Sequence, residues 1–318
     1  KRLPEFDEWF QKKAEEGRKA WVHWHQPGQL GAICIYARQE NEKITETEIL
    51  KGAALKLSTF KVDETSRGKK VGELFLKAAF KYATANNLEN IFIHGDEEKH
   101  YFLFQLLSEF GFEKFGLHPD GSNRDAVYVK VHPSNPPEPE KEPFEYLKAY
   151  FPHFRQDENV GFYVVPIKPR FHEILFPDFQ GVTNRQTALF QHENYAGNAI
   201  KMAYLCKANT KTIAAGDVLL FYRSEDEQAL TSIGIVESYE PMDDVDSIVA
   251  RVKRRTVYSL EEISQMAQTP TKVTLFRFVR HLKTPLPLHM LRSLNVLKGP
   301  PHSITKITYE KFKAIDTD

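Results

Sequence analysis

Residues 55–83 read LKLSTFKVDETSRGKKVGELFLKAAFKYA, and the N-terminal half of the chain is organised around them. Residues 55–62 alternate and are rich in β-formers, which predicts a strand. Asp63 to Lys70 is polar and carries Gly68, the signature of a turn. Val71, Leu74, Phe75, Ala78, Ala79 and Tyr82 then recur at helical spacing and give one apolar face. The order is strand, loop, helix. At the start of that helix the first backbone N–H groups lack partners, and the helix dipole favours negative charge there. The run Arg67, Gly68, Lys69, Lys70, Val71, Gly72 therefore reads as a site for phosphate.

Neither the Gly-x-x-x-x-Gly-Lys-Ser/Thr pattern of a P-loop nor the Gly-x-Gly-x-x-Gly dinucleotide fingerprint is present. The run instead resembles the pyrophosphate loop of GNAT N-acyltransferases, whose pattern is Arg/Gln-x-x-Gly-x-Gly/Ala. Lys70 stands where the first glycine of that pattern is expected. Around the loop, residues 19–25 and 30–39 read as a hairpin about the turn Gln26-Pro27-Gly28-Gln29, residues 90–94 (NIFIH) as a buried strand and residues 100–110 as a helix closed by Gly111. Residues 127–131 close the sheet, and residues 5–16 read as a short amphipathic helix. This order matches the GNAT core, and Glu109-Phe110-Gly111-Phe112-Glu113 resembles the family's usual ending.

The resemblance implies acetyl-CoA as co-substrate. Its pantetheine amides would pair with the strand Ser58, Thr59, Phe60, Lys61 and Val62, and its pyrophosphate with the loop Arg67, Gly68, Lys69, Lys70, Val71 and Gly72. The tyrosine that often protonates the departing thiolate is absent, since Leu107 stands at its position. His94, His100 and Tyr101 are the candidate catalytic residues, because His titrates near neutral pH and Tyr101 is the nearest substitute hydroxyl. Each also reads as an ordinary strand-end or helix-start polar residue. Glu40 and Glu42 are candidate bases on position alone, or part of a solvated turn.

The chain has 318 residues, enough for about two domains. Hydrophobic residues make up 41% and aromatics 12%, ample for packed cores. Lys+Arg and Asp+Glu balance at 43 each, so any nucleic-acid contact must come from a local patch. Cys34 and Cys206 lie far apart in apolar surroundings, which favours buried free thiols over a disulfide or a metal site. No signal peptide, transmembrane-length apolar run or lipidation motif is visible, which points to the cytoplasm. The first residue is Lys1, not Met, which leaves room for an upstream segment.

Residues 132–143 (HPSNPPEPEKEP) hold five prolines and read as a semi-rigid linker between a domain at 1–131 and one at 144–318. The second half predicts a helix to Tyr150, a helical turn at 172–176, a helix at 260–268, and strands at 162–168, 199–207, 217–223, 232–239 and 273–279. Many short strands suggest a small barrel. Pro166-Ile167-Lys168-Pro169, Ala215 to Tyr222 and Ile233 to Glu237 resemble the PUA-like superfamily, in its ASCH and EVE branch. The fold class expected is thus α+β, a GNAT mixed sheet flanked by helices and followed by a PUA-like barrel. The resemblance implies binding of RNA or a modified nucleobase, with Lys168, Arg170, Tyr222 and Arg223 as contacts. Alternation also allows Tyr222 to be core, and the basic run Arg251, Lys253, Arg254, Arg255 to be a solvated face. The combined expectation is an N-acyltransferase with an RNA-linked or RNA-associated acceptor, as for GNAT toxins that acylate aminoacyl-tRNA. The rivals are a non-catalytic scaffold carrying an RNA reader and an ASCH-type hydrolase of acylated nucleosides using Lys168.

Overall fold

The computed structural model describes residues 11–12, 15–119, 125–179, 196–208 and 210–315. The helix expected over residues 5–16 lies largely outside them. The chain forms two compact units, Lys1–Pro137 with Lys148–Phe151, and Glu138–Leu147 with Pro152–Asp318.

The N-terminal unit holds β1 (Lys19–Gln26), β2 (Gln29–Lys43), β3 (Ile49–Val62), α1 (Val71–Ala85), β4 (Asn90–Asp96), α2 (Tyr101–Glu109), β5 (Glu113–Leu117) and β6 (Asp125–Val131). Its sheet runs β1-β2-β3-β4-β6-β5. Among the described residues only β3 and β4 of this sheet pair in parallel, joined through α1. Strand, strand, strand, helix, strand, helix and strand follow in the order expected from the sequence, with β5 added before β6. β2 is longer than the expected hairpin strand, so Glu40 and Glu42 sit inside it, opposite Ala53 and Leu50. Their spacing looked like a turn because both sides of this long ribbon's end carry charge. Val71, Phe75, Leu76, Ala79, Phe80 and Ala83 of α1 are buried, whereas Leu74, Ala78 and Tyr82 of the expected face are only half-buried, so Leu76, Phe80 and Ala83 take their place in the core-facing stripe.

One corner of this unit is held by a buried cation. Lys130 of β6 is fully buried, and its Nζ donates to the carbonyls of Lys148 (3.1 Å) and Ala149 (2.8 Å). Those carbonyls lie in the last turn of α3 (Pro143–Tyr150), where unpaired acceptors and the helix dipole favour positive charge. Gly111, just past the C-cap of α2, has φ 81°, and a Cβ there would overlap the Lys148 carbonyl.

The C-terminal unit holds β7 (Phe162–Ile167), α4 (Pro169–Leu175), β8 (Lys201–Cys206), β9 (Val218–Arg223), β10 (Ala229–Met242), α5 (Val245–Val252), α6 (Leu260–Met266), β11 (Thr271–Pro287), α7 (Leu288–Ser293), β12 (Thr305–Ile307) and α8 (Tyr309–Lys313). The strand order is β12-β7-β9-β10-β11-β8, with β7 and β9 parallel. Among the described residues no ladder joins β12 to β8, so the sheet keeps two edges in place of the small barrel expected from the sequence. β9 lies between β7 and β10 with every residue buried, as a central strand covered on both faces must. Phe171, Leu175, Phe176, Phe221, Phe276 and Phe278 fill one core. Ile248, Val252, Ile263, Leu205 and Leu275 fill a second beneath α5 and α6.

Cys34 is buried and Cys206 half-buried, both as free thiols. Among the described residues no helix is long and apolar enough to cross a membrane.

Gly111→Ala is expected to destabilise the protein by more than about 1 kcal/mol, since the positive φ and the backbone collision cannot be relieved by a rotamer change. Lys130→Met, which strands two helix-end carbonyls, should cost about 1–3 kcal/mol. Chemical denaturation monitored by circular dichroism reads both.

Candidate functional site

In the N-terminal unit the site begins where two strands part. β3 pairs with β4 only from Ala54↔Asn90 to Leu57↔Ile93. Beyond that point β3 continues against β2 as far as Val62, while β4 continues against β6 as far as Asp96. Residues 58–62 therefore have no ladder partner on the β4 side among the described residues. A bulge accompanies the parting. Ile33 faces Lys61 and Ile35 faces Ser58, so Thr59 and Phe60 together oppose Cys34. Thr59 takes φ 47°, unusual for a β-branched residue, while Phe60 packs edge-on against Phe75 of α1 at 5.6 Å.

The loop after β3 is folded by its own side chains. Asp63 accepts from the Thr65 backbone N–H (3.2 Å) and hydroxyl (2.8 Å), and it donates its own N–H to the Gly31 carbonyl (2.9 Å). Those hydrogen bonds from Thr65 hold the Asp63 carboxyl below its usual range. Ser66 is buried against Gly31, where a side chain would collide with its hydroxyl. Gly68 has φ 76° and Lys70, the N-cap of α1, has φ 58° and ψ 21°. Lys70 thus adopts the left-handed conformation in which a glycine is at ease. Among the described residues the N–H groups of Gly68, Val71 and Gly72 have no backbone acceptor. Arg67 is exposed, 3.4 Å from Glu64, and Lys69 Nζ lies 3.2 Å from His25 Nδ1. Gly72 also serves packing, since a Cβ there would lie 2.8 Å from Leu106 of α2.

His94 is the first residue of β4 past the last parallel pair. Its ring stacks on that of His118 at 3.9 Å and 15°, and its Nδ1 lies 3.5 Å from Asp125 Oδ2. Burial, then the neighbouring His118 and Lys56, lower its pKa, with Asp125 opposing them. Lys56 in turn pairs with Glu42 at 2.6 Å. His100 is exposed at the N-cap of α2 and makes no side-chain cap. Tyr101 is 54% exposed, with its hydroxyl accepting from Gln105 Nε2 at 2.7 Å. It lines a separate cleft with Glu97, Phe104, Gln105 and Tyr128. There Tyr128 donates to Glu97 at 2.6 Å, and its pKa is pushed up to about 12 by burial and by that carboxylate. The three expected catalytic residues do not share one set of contacts. Leu107 is fully buried. Glu40 pairs with Arg38 in solvent.

The residues that do surround His94 were not read from sequence. His118 follows β5 and Asp125 opens β6, 24 and 31 positions along the chain, and only the antiparallel register of β4 with β6 brings them back. Their one local signal is polarity at the two ends of a strand pair.

In the C-terminal unit the expected contacts divide. Lys168, the N-cap of α4, is 64% exposed and 3.9 Å from Glu225; Arg170 is exposed, pairs with Glu262 at 3.1 Å and lies over the Phe171 ring at 4.2 Å. Tyr222 and Arg223 are corrections. Both lie in the interior of β9, so neither presents its side chain to a base or phosphate. Arg223 instead donates to Asp226 (2.9 Å) and Glu173 (2.9 Å), with Nη1 3.4 Å from His172 Nδ1. His172 is fully buried, its Nε2 2.8 Å from Thr231 Oγ1; nearby, Ser232 Oγ lies 2.9 Å from His281 Nδ1. Of the basic run, Arg251 bonds Ser238 and Glu240, and Arg255 bonds the Lys201 carbonyl. Among the described residues no group of three or more His, Cys, Asp or Glu could hold a metal ion.

A family model described as the EVE domain matches residues 181–317. Among solved structures the chain is similar to the ASCH protein of Zymomonas mobilis, at 15% identity over 48% of this chain and 92% of that one (TM-score 0.37). It is also similar to a GNAT family acetyltransferase of Staphylococcus aureus, at 14% identity over 40% and 76% (TM-score 0.31). A third similar structure is an Escherichia coli GNAT family N-acetyltransferase in complex with CoA, at 18% identity over 38% and 64% (TM-score 0.29). Comparison with curated proteins finds no match.

Burial, then the charges of Arg223 and His281, lower the pKa of His172 from 6.5 to about 3. The unfolded chain takes up this proton below pH 6.5 and the folded chain does not, so the contribution to stability is complete above pH 6.5 and is lost as pH falls toward 3. Thermal melts across this range should show that decline, and His172→Gln should flatten it; an identical slope in the variant would contradict the assignment.

Proposed function

We propose that the N-terminal unit is an N-acyltransferase using acetyl-CoA, and that the C-terminal unit binds RNA or a modified nucleobase, so that the acceptor is an amine on RNA or on an RNA-associated protein. The observation that carries the reading is the parting of β3 and β4 at Leu57 and Ile93, with the basic loop and the start of α1 following directly on β3. The free edge of residues 58–62 suits the pantetheine amides. The N–H groups of Gly68, Val71 and Gly72, with Arg67 and Lys69 beside them, suit the pyrophosphate.

In this scheme the acceptor nitrogen attacks the thioester carbon, the C–S bond breaks and CoA leaves as thiolate. His94, kept neutral near pH 7 by its lowered pKa, takes the proton from the nitrogen. The thiolate takes its proton from solvent, because Leu107 has none to give and Tyr101 is exposed in a separate cleft with Glu97 and Tyr128. The scaffold reading draws on the same Leu107. RNA binding rests on the exposed Lys168 and Arg170 and on the EVE domain match at residues 181–317.

Calorimetric titration with acetyl-CoA should give saturable binding, weakened by roughly tenfold or more in Lys69→Glu, which replaces an attractive charge with a repulsive one. Gly68→Val, which cannot take φ 76°, should weaken it similarly. Absence of binding by the wild-type protein would leave the scaffold reading.

The full chain should also bind a tRNA pool with an affinity that falls steeply between about 50 and 200 mM salt. Lys168→Glu with Arg170→Glu should reduce that slope. Binding independent of salt and of both residues would remove the nucleic-acid reading.

A further inference from the structure

We infer that His118 is a positioning residue for acyl transfer, holding the plane of the His94 imidazole by stacking on it at the mouth of the gap between β3 and β4. This rests on the acyl-transfer reading and adds to it a residue that lies outside the loop, the free strand and the candidate catalytic group.

The geometry is specific. The two rings lie 3.9 Å apart and 15° from parallel, closer than most aromatic pairs in the molecule. His118 is fixed from behind, because its backbone N–H donates to the Asp125 carbonyl at 2.9 Å. Asp125 then turns its carboxylate to His94 Nδ1 at 3.5 Å. His118, just after β5, and Asp125, the first residue of β6, thus supply the surface on which the His94 ring lies and the anion at its edge. With Nδ1 toward Asp125 and one face covered, Nε2 is the nitrogen left to take a proton from an acceptor.

The stack has an electrostatic consequence. Two imidazolium rings this close repel, so the pair titrates as a unit, and the second proton enters at lower pH than the first. The other charges facing His94 are Lys56 from β3, which opposes its protonation, and Asp125 from β6, which favours it. Lys56 is itself paired with Glu42 of β2. His118 is therefore one of three groups that set the protonation of His94, and the one that also sets its orientation.

The test compares the wild-type protein with His118→Phe, which keeps a flat ring and removes the titrating group, and His118→Ala, which removes both. The His94 Hε1 resonance is followed by NMR from pH 4 to 9. The wild-type curve should show two steps. His118→Phe should give one step, at higher pH than the principal wild-type midpoint. His118→Ala should lose the ring-current shift that a stacked neighbour imposes. With acetyl-CoA and an aminoacyl-tRNA pool as probes, kcat should fall roughly 10–100-fold in His118→Ala through loss of orientation, and His118→Phe should recover most of it. Both variants should bind acetyl-CoA as the wild type does. Superimposable His94 curves in all three proteins would overturn the inference while leaving acyl transfer intact. No acetyl-CoA binding by any of them would overturn the acyl-transfer reading, and the positioning role with it.

Discussion

The N-terminal unit depends on a pair of parallel strands that stop pairing partway. β3 and β4 share hydrogen bonds only as far as Leu57 and Ile93, and each then follows its other neighbour. Giving up ladder bonds costs about 1 kcal/mol each unless water or a ligand replaces them. The parting coincides with the bulge at Thr59 and Phe60 in β3, while β4 stays paired with β6 as far as Asp96. The unpaired edge of residues 58–62 and the place of His94 just past the last parallel pair both result from that divergence. A continuous β3–β4 ladder would leave neither.

The loop after β3 holds a strained residue. Lys70 takes the left-handed conformation in which glycine is at ease. The strain is of order 1 kcal/mol or more and is held by the turn at Asp63 on one side and by α1 on the other. What the lysine adds is a cation at the N-terminal end of a helix, where anions are already favoured.

Buried charge is handled differently in the two units. In the N-terminal unit Lys130 finds carbonyls at a helix end, a cation meeting partial negative charge. In the C-terminal unit Arg223 is fully inside β9 and is neutralised by Asp226 and Glu173. His172 beside it stays neutral, first because it is buried and then because the Arg223 charge opposes a second cation. Such networks stabilise little by replacement standards, yet removing one partner strands the other. They make β9 intolerant of change and unavailable for binding.

What the sequence determined by itself was local. The alternation of residues 55–62, the apolar face from Val71 to Tyr82, the glycine after α2 and the proline-rich run at 132–143 each follow from spacing or backbone freedom within about fifteen residues. They sufficed for the succession of β1 to β4 with α1 and α2 along the chain, but not for β5 or its place beyond β6 at the sheet edge. Tertiary structure alone decided which polar residues meet. His118 and Asp125 reach His94 through strand register, and a one-residue slip would turn them to the other face. Tyr222 and Arg223 looked like a binding pair because a strand carrying a ring and a cation reads as a surface. They are interior because β9 has neighbours on both edges and cores on both faces, and exposure depends on that packing, which no local pattern encodes.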